Sequence, residues 1–208
     1  MTVPVVLADD HPFIRGGVAS VLAGSGFELV AAVGTGAEAL AAIARLDPAI
    51  AILDIRMPDG NGIEVLQALR SRGDGRPVVL LTADLEDKAL LAALDAGVEG
   101  IVLKHGGESQ LIDCLTAVNL GGRWIPEAIM AQAERVREDR ANSPFRRLTP
   151  REAEMARMVA QNLRNRDIAE RVGMTEGAVK FALHAVFRKL EVTTRTELAL
   201  LLQRYGFD

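Results

Sequence analysis

A single cysteine in 208 residues excludes a disulfide framework and a cysteine-based zinc set. That residue, Cys114, falls within the helical pattern LIDCLTAV, where a small buried thiol and a reducing compartment are expected. No apolar run approaches the roughly 20 residues of a membrane span. The N-terminus, MTVPVVLADDH, reaches two acids before a signal-peptide core can build up. The expected location is therefore the cytoplasm, with no membrane partner. Internal repeats and low-complexity tracts are also lacking, which excludes a solenoid or an extended polar tail. What remains, 49% hydrophobic and 25% charged residues, is the composition of a globular protein with material for two modest cores.

Charge divides the chain. Residues 1–124 carry 9 Lys and Arg against 16 Asp and Glu, a balance of −7, whereas residues 144–208 carry 12 against 8, a balance of +4. Between them EAIMAQAERVREDRANSPF starts as a charged helical pattern and ends in an Asn-Ser-Pro break, as a linker does. The expected division is 1–122, a partly helical linker at 123–145, and 146–208.

In the first part five short apolar runs, VPVVLA (3–8), FELVAAV (27–33), AIAIL (49–53), PVVLLTA (77–83) and GIVLK (100–104), alternate with helically spaced segments such as Ile14, Val18, Val21 and Leu22. This is a (βα)5 pattern. Near-continuous apolar strands imply a parallel sheet covered on both faces, with right-handed crossovers.

The polar residues then fall into place. Asp9 and Asp10 follow the first strand, Asp54 ends the third, Thr82 the fourth and Lys104 the fifth, all at carboxyl ends that border the ligand crevice of an open α/β sheet. Three converging carboxylates repel unless a cation sits among them. An all-oxygen set that leaves room for water and phosphate suits Mg²⁺. Lys104 and Thr82 can serve phosphoryl oxygens as charge and donor, so Asp54 is expected to be a nucleophile toward phosphorus, forming an aspartyl phosphate. Asp59 in PDGNG reads as turn chemistry, the Gly34–Gly36 pair as a loop, and His11 as part of a helix start.

The second part opens on LTPREAEM, a capping box with Thr149 as N-cap, Pro150 next and Glu152 third. This helix ends near Asn162, Asn165–Val172 forms a second, Gly173 breaks it, and Thr175 caps a third running to about Leu190. The spacing is that of a helix-turn-helix. On the third helix Val179, Leu183, Val186, Phe187 and Leu190 form a core stripe, and Lys180, Phe181, His184 and Arg188 share another face. An aromatic among basic residues suits a DNA groove, where Phe181 can meet a thymine methyl and Lys180 a base edge or phosphate. Arg166 and Lys189 are candidates for phosphate contacts. The last helix, Thr194 to Tyr205, carries Leu198, Leu201 and Leu202 as a pairing or packing stripe.

ADDH, DIRMPDGNG, LLTA and IVLK, in this order, resemble the receiver domain of two-component response regulators. Residues 149–197 resemble the LuxR-type helix-turn-helix of the NarL/FixJ group. The resemblance implies a flavodoxin-like sheet of order 2-1-3-4-5, followed by a small all-α, four-helix DNA-binding domain. It implies phosphorylation of Asp54 by a sensor histidine kinase, and Mg²⁺ held by Asp10, Asp54 and the backbone carbonyl of Arg56, with Asp9 acting through water. Thr82 and Lys104 contact the phosphoryl oxygens in this scheme, and the receiver catalyses only its own phosphorylation and dephosphorylation. The implied partners are double-stranded DNA with two half-sites, a second copy of the chain when active, and RNA polymerase. Two features depart from the family: Ile101 stands where many receivers carry a switching aromatic ring, and His105 where many carry proline after the lysine. Ile101 keeps open a regulator whose receiver is a dimerisation scaffold independent of phosphate. A Mg²⁺-dependent phosphohydrolase is the further alternative, opposed by Arg56 standing where such enzymes have a general-acid aspartate.

Overall fold

The computed structural model describes residues 2–205, in two units that meet within one helix, the first ending at Ala133 and the second starting at Glu134. In the first unit, strands β1 (Val3–Ala8), β2 (Phe27–Val33), β3 (Ile50–Asp54), β4 (Val78–Thr82) and β5 (Gly100–Leu103) form one sheet, all pairs parallel, in the order β2-β1-β3-β4-β5. Helices α1 (Pro12–Leu22), α2 (Gly36–Leu46), α3 (Gly62–Ser71), α4 (Asp87–Asp95) and α5 (Glu108–Asn119) fill the crossovers. The expected flavodoxin-like topology is thus the one found.

Burial explains the apolar runs. Every residue of β3 and β4 is buried, because these inner strands are covered on both faces. Val5, Leu7, Ile50, Ile52, Val79, Leu81 and Val102 join Val18 and Leu22 of α1 and Leu111, Leu115 and Val118 of α5 in one cluster. The alternate set, including Val6, Leu53, Leu80 and Ile101, is equally buried and, by the two-residue period of a strand, faces the opposite layer. At roughly 1.5–3 kcal/mol for each large apolar side chain buried, these two layers fix the sheet and therefore its carboxyl edge. β2 is the exception: as an edge strand it leaves Glu28 and Ala32 exposed.

Helix α6 (Glu127–Ala141) spans the boundary between the units. Its beginning belongs to the first unit rather than to a free linker. The Trp124 amide donates to Glu99 O (2.8 Å) and its carbonyl accepts from the Ile101 amide (2.9 Å), extending the sheet by a one-residue parallel bridge beyond β5. Ile129 and Ala133 are buried. Residues 123–133, the start of the expected 123–145 linker, thus fall within the first compact unit. A one-residue bridge carries no two-residue period, so the sequence gives no sign of it.

The second unit holds a 3-10 turn (Pro144–Arg147) and helices α7 (Pro150–Ala160), α8 (Asn165–Val172), α9 (Glu176–Leu190) and α10 (Arg195–Arg204). Both bonds of the Thr149–Glu152 capping box are present, and Thr194 and Glu197 form another. Asn162 (φ 59°) and Gly173 (φ 66°) take the left-handed conformation that ends each preceding helix. Phe145, Met155, Val159, Ile168, Val179 and Val186 lie in the core between the helices. Among the described residues, no helix is long and apolar enough to cross a membrane.

Candidate functional site

The carboxyl edge of the sheet gathers the expected acidic residues. Asp9 follows β1 and Asp54 closes β3; both are buried, and Asp10 is partly so. Lys104, one residue past β5, places Nζ 2.7 Å from Asp54 Oδ2 and 2.8 Å from Asp9 Oδ2. Burial pushes the Asp54 carboxyl above its usual range and the Asp9 charge adds to this, against the opposing Lys104 hydrogen bond and charge and the backbone N–H of Arg56. Burial would likewise push the Lys104 ammonium down, but its hydrogen bonds and charge contacts with Asp54 and Asp9 outweigh this and hold it above its ordinary value. One cation thus serves two buried anions, and Asp10 adds a third carboxylate at the rim.

The donor set fits a hard divalent ion. Asp9 Oδ2 and Asp10 Oδ1 are buried, and the cation nearest Asp9 Oδ2 is the Lys104 ammonium at 2.8 Å, which Asp54 shares. One ligand atom from each of Asp9, Asp10, His11 and Asp54 lies within 4.8 Å of the others. His11 is the N-cap residue of α1, as its place at a helix start suggests. Its imidazole nevertheless leans on the cluster, with Nδ1 2.6 Å from Asp10 Oδ1, and its amide donates to Asp9 Oδ1 (2.9 Å).

Around this edge the loops are fixed by bonds that the sequence does not announce. Asp59, read from the sequence as a turn former, caps α2 across 23 residues: Gly36 N and Ala37 N donate to its two carboxylate oxygens at 3.0 and 3.2 Å. These bonds, Ala37 first, hold its carboxyl below the usual range. The Gly-Thr-Gly loop is thus a helix N-terminus with two caps, Thr35 and Asp59. Gly62 packs directly against the backbone of Asp54, where a Cβ would collide with its carbonyl oxygen. The Thr82 hydroxyl is buried and donates to Asp84 O (2.5 Å) in the loop before α4. Ile101 is fully buried on β5, in register with Leu80.

In the helical unit α9 sorts its faces as expected. Val179, Leu183, Val186 and Leu190 are buried and Phe187 partly so, while Lys180, His184 and Arg188 are exposed and Phe181 is 80% exposed. Thr175 serves as the N-cap, accepting from Ala178 N. Arg166 is exposed, with a loose 3.4 Å contact to Glu170. Three expectations shift. Lys189, taken as a phosphate contact, is half-buried and its Nζ lies 2.6 and 2.8 Å from the carboxylate oxygens of Glu152, so it ties α9 to the capping box of α7. Leu198 and Leu202 are fully buried in the unit's own core, and Leu201 is partly buried, so the first two offer no surface to a second copy. Leu200 of α10 is exposed; it falls outside the i, i+3, i+4 stripe of Leu198, Leu201 and Leu202, so helical spacing gives no signal for it.

Comparison with known proteins matches both units. The family described as "Response regulator receiver domain" matches residues 5–116, and that described as "Bacterial regulatory proteins, luxR family" matches residues 146–202. The chain is 33% identical over 205 residues to the nitrate/nitrite response regulator protein NarP of Escherichia coli, covering 97% of this chain and 95% of that protein. It is 32% identical over 203 residues to the DNA-binding transcriptional activator DevR/DosR of Mycobacterium tuberculosis, covering 95% and 93%. Among solved structures, RcsB of Salmonella enterica serovar Typhimurium, bound to a promoter in the presence of the phosphomimetic BeF3−, aligns with a TM-score of 0.67 and 26% identity, covering 97% of this chain and 98% of that one.

Proposed function

Since this chain belongs to the two-component response regulators that join a receiver domain to a LuxR-type DNA-binding domain, the NarL/FixJ group, we propose that Asp54 is its phosphoacceptor and α9 its DNA-reading helix. The protein is a transcription regulator. The observation that carries the first is the gathering of Asp54 and a second buried carboxylate, Asp9, on the one ammonium of Lys104, at the mouth of the sheet. An Asp54 oxygen attacks the phosphorus of a sensor histidine kinase's phosphohistidine as the P–N bond breaks and its electron pair stays on the imidazole. Lys104 then offers its charge, and Thr82 its hydroxyl, to the transferred oxygens.

Asp10, Asp54 and the Arg56 backbone carbonyl would hold Mg²⁺, with Asp9 in support. When bound, the ion neutralises the carboxylates and the charge on the phosphoryl oxygens. The convergence of one oxygen each from Asp9, Asp10 and Asp54 to within 4.8 Å, with a single lysine against them, supports this.

Lys180, Phe181, His184 and Arg188 face DNA, with Thr175 at the start of α9 and Arg166 in the first turn of α8 as further contacts, and two copies bind two half-sites. RNA polymerase is the downstream partner and the cytoplasm the location. The chain acts as a regulator rather than as an enzyme with a turned-over substrate.

Intact mass after incubation with Mg²⁺ and acetyl phosphate tests this reading, with molar mass and DNA binding followed on the same samples. The parent should gain a phosphoryl adduct and shift toward dimer or tighter DNA binding, and Asp54→Asn should do neither. An adduct without either shift would favour the scaffold role that Ile101 keeps open. No adduct would remove the assignment of Asp54.

A further inference from the structure

Helix α6 is fastened to the loop that leaves Thr82. Both protons of the Gln132 side-chain amide are used: Nε2 lies 3.2 Å from Leu85 O and 2.8 Å from Asp87 Oδ1. Asp87 opens α4, and Leu85 is buried, its amide donating to Asp84 Oδ1 (2.8 Å). Asp84 is the residue whose carbonyl holds the Thr82 hydroxyl proton at 2.5 Å and whose amide donates back to that hydroxyl at 3.3 Å. An unbroken series of bonds therefore runs from the end of β4, one strand from Asp54, through two loop residues to the linker helix.

A threonine hydroxyl has one proton to give. It cannot serve Asp84 O and a phosphoryl oxygen on Asp54 together, and the charged acceptor makes the stronger bond. We propose that Gln132 is a latch: phosphorylation draws Thr82 off the Asp84 carbonyl, the Asp84–Leu85 segment shifts, and Gln132 loses the paired acceptors that hold the first turns of α6. The proposal rests on the assignment of Asp54 above. It also supplies a route that needs no aromatic ring at position 101. The linker meets β5 through the Trp124 backbone, whose carbonyl accepts from Ile101 N, and meets the loop before α4 through Gln132. Ile129 and Ala133 stay buried, so the response is loosening of α6 rather than its unfolding.

Hydrogen exchange of peptides covering residues 125–133 tests the latch in the full chain, with and without Mg²⁺ and acetyl phosphate, the adduct being measured by intact mass on the same samples. In the parent, exchange should rise about fivefold with the adduct, the effect of one ordinary hydrogen bond on a local opening equilibrium. Gln132→Ala should exchange that fast without phosphate and gain nothing more when phosphorylated, which separates a latch from a mere support of the helix. An adduct in the parent with unchanged exchange overturns the latch, as does Gln132→Ala responding like the parent. No adduct in the parent is a different failure: it removes the Asp54 assignment, and phosphate control of the latch with it.

Discussion

Lys104 Nζ and Asp54 Oδ2 stand 2.7 Å apart, with Asp9 on the same ammonium at 2.8 Å. Removing that cation leaves buried carboxylates facing one another, a cost of roughly 3 kcal/mol or more unless one takes up a proton. Lys104→Met should therefore melt well below the parent in chelator. Because a divalent ion supplies the missing charge, the rise in Tm on adding Mg²⁺ should be larger in the variant than in the parent. Equal rises would place the ion away from these carboxylates.

Lys189 should prove a stability residue. Its hydrogen bonds to Glu152, and then the Thr149 amide, hold the Glu152 carboxyl below its ordinary 4.5. A depressed folded-state value contributes stability that is present above the unfolded value and lost as pH falls through the folded one. Glu152→Gln should thus lower the helical unit's stability by about 1 kcal/mol at neutral pH, and the gap should close as the pH falls below the ordinary carboxylate range. Thermal melts of parent and variant across that range check it; a gap that does not depend on pH would show that the ion pair is not its source.

Lys180 should behave in the opposite way, leaving melting unchanged while weakening DNA binding. If it meets phosphate, Lys180→Ala lowers the slope of log affinity against log salt by about 1, and does so on every DNA sequence. Phe181→Ala should leave that slope alone and lose discrimination on the order of 1 kcal/mol at a thymine position. Titrations at several salt concentrations on matched and substituted sites separate the two; a Lys180→Ala protein with the parent's affinity and slope would mean that this face does not contact DNA.

The sequence made legible whatever had a local period. β1 and β2 begin and end where their apolar runs do, and the capping motifs of α7 and α9 each span only four residues, Thr149–Glu152 and Thr175–Ala178. β3 was displaced by one residue because Asp54 continues the extended backbone after the apolar run stops. Missing were the contacts between distant segments. Asp59 looked like an ordinary turn residue because its partners lie 23 positions earlier. Lys189 looked free because Glu152 lies 37 positions away. Gln132 had no signal at all, since a polar residue in a charged helix gives no hint of what it faces.

Helix α10 gives the last test, because two roles for its leucines predict different losses. Leu198 and Leu202 have no exposed surface, so truncating either to alanine should destabilise the helical unit by about 2–5 kcal/mol through lost burial and a residual cavity, with any change in dimerisation following from that. Leu200 is 60% exposed, and Leu200→Ser should leave stability within about 0.5 kcal/mol. If α10 meets a second copy, it does so through Leu200, and sedimentation of the phosphorylated Leu200→Ser protein should show a weaker dimer at unchanged Tm. A dimer as strong as the parent's would move the pairing surface off this helix, leaving its leucines with the packing role that their burial already gives them.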